Sequence, residues 1–74
     1  MDINTLVGKR ITQLRKKKKL SQQKFAYEAE VERSYLTHIE KGRKNISLEM
    51  LEKITTALEI SLHDFFDPEE LNKL

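Results

Sequence analysis

The chain has 74 residues, the size of one small domain that buries roughly 60% of its unfolded surface, so its core must be lean. Without cysteine it can form no disulfide framework, thiolate zinc site or cysteine nucleophile. No apolar run is long enough to cross a bilayer or act as a signal peptide, so a soluble, cytoplasmic protein is expected.

The net charge of +2 is the remainder of a strong asymmetry. Residues 1–24 carry eight basic side chains (Lys9, Arg10, Arg15, Lys16, Lys17, Lys18, Lys19, Lys24) against Asp2 alone, residues 25–44 hold four of each sign, and residues 45–74 set Lys53 and Lys73 against seven acids. One end suits a polyanion that the other end would repel, although a well-solvated helix face would carry the same charges.

Helical spacing accounts for the apolar positions, and no stretch alternates as a strand would. Val7, Ile11 and Leu14 predict a first helix over residues 4–19. Ser21 reads as the N-cap of a short second helix, residues 22–29, with Phe25, Ala26 and Ala29 inward. After a turn plugged by Val31, a third helix over residues 32–41 turns Leu36 and Ile39 inward, and Gly42 follows as a left-handed C-cap. Ser47 caps a fourth helix lined by Leu51, Ile54, Thr55 and Leu58. Ser61 and Asp64 resemble a capping box opening a short fifth helix with Leu62, Phe65 and Phe66. Asp67 precedes proline, which disfavours helix at that residue, and the last residues are expected to fray. No repeat or linker divides the chain, so residues 1–74 are expected to form one domain.

Two short helices joined by a tight turn cross at about 90–120°. Burying Leu36 and Ile39 forces Arg33, Ser34, Thr37 and His38 onto the opposite face of the third helix. Each of these can hydrogen-bond to a base edge or a phosphate, and a helix so presented fits the DNA major groove.

The run Arg15-Lys16-Lys17-Lys18-Lys19-Leu20-Ser21-Gln22-Gln23-Lys24-Phe25-Ala26, followed by Val31-Glu32-Arg33-Ser34-Tyr35-Leu36-Thr37-His38-Ile39-Glu40-Lys41-Gly42, resembles the helix-turn-helix family of phage Cro and repressor proteins. That family is also called the xenobiotic-response-element type. The similarity spans about residues 5–66 and implies an all-α, compact five-helix lambda-repressor-like fold with the helix-turn-helix at residues 21–41. Within the family, Glu32-Arg33-Ser34-Tyr35 and Arg43-Lys44-Asn45-Ile46-Ser47-Leu48 are most similar to controller proteins of restriction–modification systems. The resemblance implies a sequence-specific regulator of transcription, of bacterial or phage origin, that binds double-stranded DNA.

By position, the resemblance makes Arg33 the candidate for a bidentate contact to guanine. Ser34, Thr37 and His38 follow on the same face. Glu32 either accepts from a cytosine amino group or only stabilises the helix start. Gln22 is expected at a phosphate, while Ser21 either shares that contact or caps its helix. Tyr35 is expected to pack its ring and direct its hydroxyl to the DNA backbone. Arg43, Lys44 and Asn45 suit phosphate clamping, which positions a protein without reading sequence. Arg15 and Glu40 match a family pair that fixes the recognition helix. The lysines at 16–19 serve long-range steering first and contact second. Glu30 stands where the family often has glycine, in a turn that favours a left-handed backbone.

One recognition helix reads few base pairs, so a homodimer on a pseudo-palindrome is expected, with half-sites roughly 34–36 Å apart. Leu62, Phe65, Phe66 and Leu71 are the candidates for its interface, with the core as the competing place for Phe65. With no room for a ligand-sensing domain, regulation would follow protein concentration. RNA polymerase or a cognate toxin are the protein partners such a regulator would have. An antitoxin, a phage-type repressor and a pure interaction module are the competing readings. Enzymatic function is not expected: His38 and His63 lie far apart in sequence, and neither a glycine-rich phosphate loop nor a nucleophile motif occurs. No metal or cofactor is expected.

Overall fold

The computed structural model describes residues 2–74. Its helices are α1 (Ile3–Lys17), α2 (Gln22–Ala29), α3 (Arg33–Glu40), α4 (Leu48–Leu58), α5 (Leu62–Phe65) and α6 (Pro68–Leu71), with no strand among the described residues. The five expected helices are present, and α6 adds a turn where fraying was expected.

Short-range capping chemistry sets most of the boundaries. The Ser21, Ser47 and Ser61 hydroxyls accept from the backbone N–H groups of Lys24, Met50 and Asp64 at 3.0–3.1 Å, satisfying amides that have no partner inside their own helices. The Ser61 capping box is only half formed. The Asp64 carboxylate faces the His63 ring at 3.1 Å, because its side chain is one methylene shorter than the glutamate that normally reaches back to the cap. Asp2 caps α1 by accepting from the Thr5 N–H at 2.9 Å, and that bond holds the Asp2 carboxyl below its ordinary range. At the other end Lys18 is the C-cap and Lys19 turns left-handed at φ 59°, so α1 stops two residues short of the expected end. In α6, Asp67 accepts from the Glu69 N–H at 3.0 Å. Pro68 occupies the first helical position, where its missing N–H leaves nothing unpaired.

The core draws Val7, Ile11 and Leu14 from α1, Phe25, Ala26 and Ala29 from α2, and Val31 from the turn. Leu36 and Ile39 of α3, Leu51, Ile54 and Leu58 of α4, and Phe65 of α5 complete it. Apart from Val31 in the turn and Phe65, these are the residues that the helical spacing turns inward. Phe65 corrects one expectation: its side chain is fully buried, so it closes the core and is not available to a dimer interface.

Arg10 is a second correction. Counted with the polyanion-facing charges, it is only 3% exposed. Its Nε and Nη2 donate to the Phe65 and Asp64 carbonyl oxygens at 2.8 and 2.6 Å, and the Glu70 carboxylate lies 3.7 Å away. The guanidinium thus supplies donors to two carbonyls at the end of α5, and ties α5 and α6 to α1. Arg10 falls three residues after Val7 and four before Leu14, on the apolar stripe itself, which is the sequence signal for its burial.

The α2–α3 turn places Glu30 at φ 58°, ψ 45°, the left-handed conformation expected there. A side chain in that region costs on the order of 1 kcal/mol relative to glycine. Glu30→Gly is therefore expected to raise the melting temperature by several degrees in calorimetry. A lowered melting temperature would mean that the Glu30 side chain contributes more than its backbone strain costs. Among the described residues, no helix is long and apolar enough to cross a membrane.

Candidate nucleic-acid interface

α3 has one face committed to the core and one turned outward. Leu36 and Ile39 are 0% and 2% exposed. On the other side Arg33 and Ser34 are exposed, and Thr37 and His38 are half-buried. Glu32 is the N-cap of α3 and its side chain makes no capping bond, so the helix begins one residue later than expected and the Glu32 carboxylate stands exposed beside Arg33.

The position of α3 is held by a buried ion pair to α1. Arg15 Nε and Nη2 donate to Glu40 Oε2 and Oε1 at 2.8 and 2.9 Å, with side-chain exposures of only 11% and 6%. Arg15 Nη1 donates to the Leu20 carbonyl at 3.0 Å, which also fixes the chain as it leaves α1. Bidentate geometry gives this contact direction as well as strength. The expected Arg15–Glu40 pair is therefore formed.

Gln22 joins the same network. Its Nε2 donates to Glu40 Oε1 at 3.1 Å, and its Oε1 accepts from the Thr37 hydroxyl at 2.8 Å. An amide carries two N–H groups, so one remains for an anion at the start of α2. Ser21 uses a lone pair to cap α2, which leaves its hydroxyl proton free to donate. Tyr35 is half-buried with its ring against the core.

The loop after α3 is pinned to the start of α1. Gly42 takes φ 75° and passes so close to Thr5 that an added Cβ would lie 2.7 Å from its hydroxyl. Asn4 Nδ2 donates to Asn45 Oδ1 at 2.7 Å, which braces the loop through the amide oxygen and leaves the exposed Asn45 amide nitrogen for the phosphate expected there. Arg43 and Lys44 are exposed beside it. Neither Asn4 nor Thr5 was singled out in the sequence, because the partners are about 40 residues apart.

Of the eight basic residues before position 25, Arg10 and Arg15 are thus used internally, and the lysines at 16–19 are exposed. Lys18 is tied to Glu59 at 2.7 Å, and its hydrogen bond and charge hold the Glu59 carboxyl below its ordinary range. At the far end Leu62 and Phe66 are exposed and Leu71 is half-buried. Leu48, not anticipated, is 85% exposed. With Leu51, Thr55 and Leu62 it borders an open cleft rimmed by Glu49 and Glu52.

Residues 11–65 match the helix-turn-helix family. The chain is similar to control protein C.BamHI of Bacillus amyloliquefaciens, with 39% identity over 67 residues, 89% of this chain and 83% of the relative. It is also similar to control protein C.MunI of a Mycoplasma species, with 42% identity over 66 residues, 88% and 89% of the two chains. A solved structure of the restriction–modification controller protein C.Esp1396I, a tetramer in complex with its natural 35 base-pair operator, matches with a TM-score of 0.86 at 32% identity, covering 99% of this chain and 93% of that one. With the outward face of α3, its buried anchor and the basic loop in place, the chain belongs to the helix-turn-helix family of Cro and repressor type, and within it is similar to restriction–modification controller proteins.

Proposed function

We propose that the protein is a transcriptional regulator of the controller type, a single helix-turn-helix domain that binds double-stranded DNA in sequence-specific fashion as a homodimer on a pseudo-palindromic operator. The observation that carries this reading is the two-sided α3. Leu36, Ile39 and the Arg15–Glu40 pair fix the helix, while Arg33, Ser34, Thr37 and His38 stand on the side away from the core. Arg43, Lys44 and the free N–H of Gln22 flank that side and suit phosphates. The similarity to control proteins and to an operator-bound controller supports the same reading. The exposed Leu48, Leu62 and Phe66 supply apolar surface for a symmetric contact with a second copy.

The division into readers and positioners is tested by binding isotherms on selected and scrambled duplexes at several salt concentrations. Arg33→Ala is expected to weaken the selected site by roughly 1–3 kcal/mol and to relax preference at one position per half-site. Arg43→Ala is expected to weaken all duplexes alike and to lower the salt slope. If the two variants exchanged these behaviours, the assignment would be overturned.

A further inference from the structure

The amide of Gln22 sits between two groups of α3 with different hydrogen-bonding chemistry. At one end is Glu40 Oε1, 3.1 Å from the amide and also engaged by Arg15 at 2.9 Å; at the other is the Thr37 hydroxyl at 2.8 Å. A carboxylate paired with a guanidinium only accepts hydrogen bonds, so the amide nitrogen must face Glu40 and the amide oxygen must face Thr37. That oxygen also only accepts. The other internal neighbour of the Thr37 hydroxyl is the Arg33 carbonyl oxygen at 3.0 Å, again an acceptor. The single hydroxyl proton is therefore committed inward to one of the two, and Thr37 Oγ1 offers only lone pairs on its outer side.

We infer that Thr37 is a specificity-determining residue that accepts a hydrogen bond from a base amino group in the major groove, adenine N6 or cytosine N4, and rejects a base acceptor at the same place. The inference rests on the proposal that α3 lies in that groove. Guanine O6 or N7, or thymine O4, would need the hydroxyl proton. Turning it outward would break whichever inward bond it makes and leave two acceptors, the Gln22 amide oxygen and the Arg33 carbonyl oxygen, facing an oxygen that offers them no proton. The polarity passes from the Arg15–Glu40 pair through Gln22 to the helix surface. A pair that anchors α3 thereby also orients the hydrogen-bonding sense of one of its outward groups.

Every Watson–Crick pair carries one amino group in the major groove, so base preference alone does not report this polarity. Removing the amino group does. Sites selected by the protein and by Thr37→Val identify the base pair whose preference depends on the hydroxyl. At that pair adenine is then replaced by purine, or cytosine by 2-pyrimidinone. Wild type and Thr37→Ser are expected to bind the altered duplex about fivefold more weakly than the parent, the worth of one neutral hydrogen bond, while Thr37→Val binds both equally. Each comparison is made within one protein, so any stability difference between variants cancels. Equal losses in wild type and Thr37→Val would overturn the inference. So would a hydroxyl-dependent loss that appears when a 7-deazapurine removes the N7 acceptor and not when the amino group is removed. If the protein is selective but Thr37→Val shifts preference nowhere, the inference fails and the proposed function stands. If the protein selects no sequence, both fail.

Discussion

Gly8→Ala is expected to lower the melting temperature by roughly 8–16 °C. A Cβ built at Gly8 falls on the Ile39 carbonyl oxygen, 2.7 Å from the Glu40 carbonyl oxygen and 3.0 Å from the Glu40 carbonyl carbon. These are backbone atoms at the end of α3, so no side-chain rotation relieves the clash. To make room, α1 and α3 would have to separate, which loosens Ile11, Leu36 and Ile39, all at most 2% exposed. Overpacking of this kind costs about 3 kcal/mol at the upper end of its range. Alanine is the better helix former by about 1 kcal/mol, which offsets part of that cost. The net of about 2 kcal/mol converts at roughly 4–8 °C per kcal/mol for a domain of this size. The same separation would shift the outward face of α3, so DNA affinity should fall even where the variant is fully folded. Calorimetry decides between the two effects: an unchanged or raised melting temperature would mean that helix propensity outweighs the close approach.

The second large effect is expected at the Arg15–Glu40 pair. Arg15→Met would leave the Glu40 carboxylate, 6% exposed, with only the Gln22 amide nitrogen at 3.1 Å. Glu40→Leu would leave the guanidinium with only the Leu20 carbonyl at 3.0 Å. Removing one partner of a buried pair costs about 3–5 kcal/mol, because the other charge stays desolvated. Replacing both by apolar side chains of similar volume removes the stranded charge and is close to neutral in favourable cases. Urea denaturation of the two single variants and the double variant is therefore expected to show a double loss smaller than either single loss. Additive losses would show that each residue acts separately, through its packing or its bond to Leu20 or Gln22, and not through the pair. Even where stability recovers, the double variant should bind DNA less well, since Gln22 loses the group that orients it.

Features written locally were legible in the sequence. The periodic apolar positions from Val7 to Leu58 all reached the core, because a 3.6-residue repeat states which side of a helix is buried before any partner is known. Ser21, Ser47 and Ser61 capped as expected because each bond spans three residues. The outward face of α3 followed from the same period. Features that depend on which elements meet were not legible. Gly8 looks like punctuation until α3 lies against it. Arg10 looks like one more surface charge until the carbonyls of α5, more than 50 residues away, need its donors. The Asn4–Asn45 bond joins residues 41 apart and shows only once α1 meets the loop after α3. α6 escapes the sequence for a different reason: Asp67 is non-helical, as expected before proline, but as the N-cap of a new helix that starts directly after the C-cap Phe66. The Gln22–Thr37 bond falls between these cases, since both residues were named as sites but their mutual contact needed the crossing of α2 and α3.

In the proposed function the fixed outward face of α3 reads DNA sequence in two symmetric copies. That function is tested most directly by selecting bound sites from random duplexes with the unmodified protein at near-physiological salt. Enrichment of a two-fold-symmetric sequence is expected, with half-sites centred about one helical turn apart, roughly 10 base pairs. Arg33→Ala is expected to lose one specified position per half-site. Recovery of unenriched sequence, with affinity that follows salt alone, would contradict the proposed function.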